Sequence, residues 1–200
     1  MSLIYKYVPG ETGETLLLLH GTGGDESDLI SIGHAVMPGA ALLSPRGPVL
    51  ENGMPRFFRR LREGVFDLED VKHRAAELGA FVGEKAKEHD FDPARVSTLG
   101  YSNGANIAAA MLLTGSFVFR RAAFIRAMVP LEPETFPKLA GTEVLLAAGR
   151  YDPIATPAQT RRLVELLEGA GATVEVHEEN SGHQMTRGDI EAAQAWLTWP

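Results

Sequence analysis

The chain has 200 residues, a formal net charge of −7, 44% hydrophobic and 22% charged residues, and no cysteine. That length suits a single domain, residues 1–200, with one large core; the acidic balance argues against a nucleic-acid partner, and the missing thiols exclude disulfides and thiolate metal sites. No stretch is long and apolar enough to span a bilayer and no basic-then-apolar leader opens the chain, so a cytoplasmic protein is expected.

Leu3 to Val8 alternates loosely before Pro9-Gly10, which predicts a short edge strand entering a hairpin with Thr15–Leu19. The second run is apolar throughout, as in a strand covered on both faces. The loop Gly21-Thr22-Gly23-Gly24-Asp25 follows, then a short helix from Ser27 and a brief strand from Ala40 to Ser44, closed by Pro45. Arg46 to Gly64 fits no regular element, and a long excursion of this kind is expected at the rim of a pocket. Its arginine run Arg56–Arg62, with two Phe, is too short in an acidic chain to argue for nucleic acid.

Asp67 opens a long helix with Asp70 in its first turn and Leu68, Val71, Ala75, Leu78 and Val82 on one face. Strands are predicted at Val96–Leu99, Ala122–Val129, Glu143–Ala148 and Thr173–His177. Helices are predicted at Ala105–Leu113, from Thr156-Pro157, and from Thr186 with an inward face of Ile190, Ala193, Trp196 and Leu197. Strand alternating with helix from Thr15 onward argues an α/β fold, a mainly parallel sheet with helices on both faces.

Between the strand Val96–Leu99 and the helix from Ala105 stands Gly100-Tyr101-Ser102-Asn103-Gly104. A Gly-x-Ser-x-Gly turn from strand to helix crowds the positions two residues either side of the serine, and glycines relieve the crowding. Ser102 is therefore a candidate nucleophile. A serine hydroxyl needs a base, and the base an acid that fixes its tautomer. Of the histidines after Ser102, His183 sits in a turn before the last helix, whereas His177 reads as an exposed strand residue. Asp152 follows an apolar strand in Gly149-Arg150-Tyr151-Asp152-Pro153, while Asp189 reads as a first-turn helix residue and Glu178 and Glu179 as solvated. Ser102, Asp152 and His183 thus come from three loops at the carboxyl ends of strands, where parallel sheets gather their catalytic groups.

Acyl transfer also needs donors for a developing oxyanion. The amide of Asn103, at a helix start, is one candidate; Thr22, in the glycine loop after the first central strand, is the other. That loop lacks the Gly-Lys-Ser/Thr ending of a phosphate cradle, and His20 reads as a structural residue holding it. Phe57, Phe58, Phe66, Tyr101 and Tyr151 are candidates to wall an apolar slot, with Arg46 and Arg59 placed to receive a carboxylate or phenolate.

Leu19-His20-Gly21-Thr22-Gly23-Gly24-Asp25, Ser44-Pro45-Arg46-Gly47, Gly100–Gly104, Gly149–Pro153 and Gly182-His183 together resemble the α/β-hydrolase superfamily, and within it the compact carboxylesterase, phospholipase and acyl-protein thioesterase group. The resemblance spans nearly the whole chain. It implies a three-layer fold of about seven strands without a large cap domain, and a Ser-Asp-His triad mapping onto Ser102, Asp152 and His183, with Thr22 and Asn103 at the oxyanion positions. It further implies hydrolysis of a small carboxylic ester or thioester, with no cofactor or metal; a homodimer is left open. Asn103 stands where thioesterase members commonly have Gln, and the Arg46–Phe66 segment is not theirs, so the chain looks closer to a bacterial esterase branch that includes hydroquinone-linked hydrolases. The alternatives are a thioesterase or lysophospholipase activity, a catalytically silent receptor, and lyase or cofactor-free oxygen chemistry on the same scaffold.

Overall fold

The computed structural model describes residues 3–62 and 64–198. The chain runs β1 (Tyr5–Val8), β2 (Thr15–Leu19), α1 (Ile30–Val36), β3 (Ala41–Pro45), β4 (Val49–Glu51), β5 (Met54–Arg56), β6 (Arg60–Arg62), β7 (Val65–Phe66) and α2 (Leu68–His89). It continues with β8 (Val96–Tyr101), α3 (Asn103–Thr114), β9 (Arg121–Ile125), β10 (Glu143–Gly149), α4 (Pro157–Gly169), β11 (Thr173–Glu179) and α5 (Arg187–Thr198).

Seven strands form one sheet in the order β1-β3-β2-β8-β9-β10-β11. All neighbours are parallel except β1, which runs antiparallel to β3, Tyr5 opposite Pro45 and Val8 opposite Leu42. The expected hairpin between β1 and β2 does not form; β1 crosses to the edge and β2 is left for a central place, as its unbroken apolar run requires. Along β2 the side chains alternate between two cores. Leu17 and Leu19 pack with α2, α3 and α4, and Leu16 and Leu18 with α1 and α5. All four leucines are fully buried, each worth roughly 1.5–3 kcal/mol in transfer free energy. The result is a three-layer sandwich with helices on both faces.

α3 lies deepest, with Asn103 through Leu113 all buried, which explains its Ala-rich composition: small side chains let a helix approach both the sheet and a neighbouring helix. α2 is capped as predicted, Asp67 accepting a hydrogen bond from the Asp70 N–H, but Leu68 is exposed and stands off its apolar face. β9 stops at Ile125, short of the predicted Val129, because Arg126 turns into the left-handed region at φ +57°. Thr156 caps α4 and Pro157 takes its first position, as expected.

The excursion after β3 is more regular than its composition suggests. It folds into two small antiparallel pairs, β4 with β5 and β6 with β7. The first turns through Asn52 and Gly53, both at positive φ, +52° and +81°, the pairing favoured by a two-residue hairpin turn whose twist matches its strands.

Candidate active site

Parallel order reverses between β2 and β8: β3 lies on one side of this pair, β9 to β11 on the other. The loops leaving the carboxyl ends of β2 and β8 therefore diverge over a crevice, the usual ligand position in an open parallel sheet. Ser102 leaves β8 at φ +51° and ψ −113°, a strained conformation for a residue with a side chain. It is held there by its N–H donating to the Ile125 carbonyl at 2.8 Å and by α3 beginning at the next residue. A Cβ on Gly100 would lie 2.7 Å from the Ala105 backbone, and one on Gly104 would run into the Leu19 carbonyl. The glycine spacing is thus a packing requirement of a sharp strand-to-helix turn.

Ser102 Oγ lies 2.8 Å from His183 Nε2, and His183 Nδ1 lies 2.7 Å from Asp152 Oδ2. The Asp152 side chain is fully buried. Its other oxygen accepts the N–H groups of Ile154 at 2.8 Å and Ala155 at 3.0 Å, so the carboxylate is compensated and fixed. Three post-strand loops thereby deliver one hydrogen-bonded chain.

The His183 loop has an anchor that the sequence reading passed over. Arg126 is fully buried and spreads its guanidinium over the segment around His183. It donates to the carbonyls of Gly182 at 2.9 Å and Gln184 at 3.1 Å, and to Ser181 Oγ at 2.8 Å. Its charge is met by Asp189 in a two-pronged, fully buried pair, 2.9 and 2.8 Å. Asp189 also accepts the Thr186 N–H at 2.7 Å. The first-turn aspartate of α5 is therefore a buried counter-ion. Tyr101 adds a further tie, its hydroxyl donating to the His183 carbonyl at 3.1 Å, and burial pushes its phenol pKa up.

His20 holds the glycine loop as expected. Its Nε2 accepts the Gly47 N–H at 3.0 Å, which assigns the proton to Nδ1, donating to the Gly21 carbonyl at 2.7 Å. Burial keeps this imidazole below its ordinary pKa. The loop is also pinned by the Gly23 N–H donating to Pro55 O at 2.9 Å, and the excursion is tied to the start of α3 by the Phe57 N–H donating to Asn103 Oδ1 at 2.7 Å. Asn103 Nδ2 is a buried donor with no acceptor among the described residues.

A cleft of about 330 Å³ opens over Ser102 and His183, and Thr22, Asn103, Tyr101 and Phe66 line it. Its other walls are Arg56, Arg60 and Gly64, from the excursion expected at the rim, and Asn106, Met128 and Ile154; none of the six was among the expected lining side chains. Asn106 holds that wall by accepting the Met128 N–H at 2.7 Å.

Five of the expected lining residues lie elsewhere. Phe57 and Phe58 are 2% and 0% exposed and belong to the core beneath the excursion, against His20 and Phe66. Arg59 turns outward, its N–H bonded to Asp70 at 2.7 Å and its guanidinium 3.0 Å from Asp67, so the start of α2 draws it off. Arg46 is engaged by Glu26 through both Nε and Nη2. Tyr151 is 68% exposed beside the Asp152 turn. The signal for Arg56 was in the sequence: Asn52-Gly53 dictates a hairpin, and the hairpin fixes where Arg56 stands.

Among the described residues, no helix is long and apolar enough to cross a membrane. No family model matches the chain. It is 46% identical over 190 residues, 95% of each chain, to a protein of Bacillus subtilis (strain 168) named "Putative hydrolase MhqD". Among solved structures it is similar to the Bacillus cereus carboxylesterase, with 47% identity, TM-score 0.94, and coverage of 98% of this chain and 93% of that one. YahD, solved with malic acid, is 33% identical at TM-score 0.94 over 98% of both chains. A Mesorhizobium loti carboxylesterase is 34% identical at TM-score 0.89, covering 96% of this chain and 91% of that one. Fold, relatives and cleft agree, and the chain belongs to the α/β-hydrolase superfamily, as a carboxylic ester hydrolase of its compact carboxylesterase group.

Proposed function

We propose that the protein hydrolyses small carboxylic esters through a covalent acyl-enzyme on Ser102. The observation that carries this reading is the hydrogen-bonded chain from Ser102 Oγ through His183 to the buried Asp152. His183 Nε2 takes the hydroxyl proton as Oγ attacks the ester carbonyl. Asp152 holds Nδ1–H and stabilises the imidazolium. The N–H groups of Thr22 and Asn103 receive the oxyanion; Asn103 begins a helix, whose first N–H groups have no intrahelical acceptor. The imidazolium then gives its proton to the departing alkoxide. A water molecule, deprotonated by His183, attacks the acyl-enzyme and releases the acid with Ser102 restored.

Short p-nitrophenyl esters and a fluorophosphonate probe test the reading together. Wild type is expected to turn over the esters and take up the probe, and Ser102→Ala to do neither. Turnover surviving in Ser102→Ala would remove Ser102 from the chemistry. A wild type that binds esters without cleaving them would make the chain a receptor.

A further inference from the structure

Among the described residues, the side chains that line the cleft over Ser102 carry an unbalanced charge. Its described lining includes two guanidiniums, Arg56 and Arg60, and no carboxylate. The two arginines share one acidic partner outside the lining, Glu51. Arg56 Nη1 lies 3.1 Å from Glu51 Oε2, and Arg60 Nε reaches both Glu51 oxygens at 2.8 and 3.1 Å. The Arg56 side chain is only 5% exposed. Its remaining bonds go to neutral oxygens, the Thr22 hydroxyl at 3.0 Å and the Phe58 carbonyl at 3.3 Å. Among the described residues, Arg56 Nη2 and both Nη atoms of Arg60 have no acceptor.

Burying a guanidinium with only part of a counter-charge is costly, and burial and the neighbouring Arg60 push the Arg56 pKa down. For a slot that received only neutral esters the arrangement would be a liability. A forked donor set matches a carboxylate, which can bridge two guanidiniums and complete the charge balance. Thr22 ties this subsite to the proposed oxyanion position, since one residue offers its hydroxyl to Arg56 and its backbone to the glycine loop.

We propose that the substrates are small esters bearing a free carboxylate, and that Arg56 and Arg60 read that carboxylate. The proposal rests on the ester-hydrolase reading of Ser102 and concerns the substrate class alone. Two matched pairs test it by pH-stat. Monomethyl glutarate against methyl pentanoate places the charge on the acyl side, and 4-acetoxybenzoate against phenyl acetate places it on the alcohol side. For at least one pair, the anionic-to-neutral ratio of kcat/KM is expected to exceed that of Arg60→Met and of Arg56→Met by about tenfold, the scale of a charge-assisted hydrogen bond. Arg60 is 28% exposed at its side chain, so Arg60→Met keeps the test alive should the buried Arg56 variant not fold. Fluorophosphonate labelling is run on each protein. Labelled variants with the wild-type ratio in both pairs would overturn the carboxylate subsite while leaving the hydrolase intact. Absence of labelling and of turnover in wild type would overturn the hydrolase reading, and the subsite with it.

Discussion

At the scale of single residues, the site depends on atoms whose protonation and backbone angles are fixed by neighbours. His20 shows how closely. A proton on its Nε2 would face the Gly47 N–H, so the fold favours the neutral ring, and burial lowers its pKa in agreement. The unfolded chain has no such restriction and takes up a proton near the ordinary imidazole value of about 6.5. Between the depressed folded pKa and that value the unfolded state holds more protons, so this contribution to stability is full above about pH 6.5 and lost as pH falls below it. Urea midpoints at pH 7.5 and 5.5 should therefore fall more steeply for wild type than for His20→Gln; equal losses in the two would remove His20 from the acid sensitivity. Ser102 illustrates another kind of constraint, a positive φ maintained because the Ile125 carbonyl and α3 hold the residue from both sides.

At the scale of elements, the loop after β11 is a short segment that the β9 terminus holds in place. Arg126 leaves β9 at positive φ and bonds to Ser181, Gly182 and Gln184, with Asp189 of α5 as counter-ion. Breaking such a buried pair from one side leaves the other charge uncompensated and costs about 3–5 kcal/mol. Arg126→Met is expected to lose that much in denaturant unfolding. At temperatures where it remains folded, hydrogen exchange around His183 should quicken and kcat fall while KM changes little. A variant with wild-type exchange in that loop and undiminished kcat would contradict the positioning role. Legibility in the sequence follows the same division. Elements whose signal is local were readable: the capped helices at Asp67 and Thr156, and the Gly-x-Ser-x-Gly turn, whose glycines answer to atoms a few residues away or one strand over. Arg126 interrupts an apolar strand and Asp189 sits in a helix's first turn, and neither position says that their charges meet 63 residues apart. The excursion was legible as a rim but not in its detail. Arg59 and Arg60 are adjacent in sequence, yet one is drawn to the start of α2 and the other to Glu51 beside the cleft.

At the scale of the whole molecule, a sheet whose strand order diverges at β2 and β8 brings loops distant in sequence to one crevice, so Thr22, Ser102, Asn103 and His183 line one cleft, with Asp152 buried behind His183. The unbroken Leu16–Leu19 run and the strand–helix alternation were enough to expect that architecture, because a strand buried on both faces needs helices on both sides. The exchange of partners at the edge, β1 with β3 instead of β2, was not legible, since an antiparallel edge strand carries the same alternation wherever it pairs. Chemistry at Ser102 is the claim on which the rest depends. Acid quench of the protein within the first turnovers of p-nitrophenyl acetate, followed by digestion and peptide mass analysis, tests it directly. The account predicts one acetyl group on the peptide containing Ser102, absent in Ser102→Ala, together with loss of turnover. Unacetylated Ser102 with turnover retained in Ser102→Ala would contradict it.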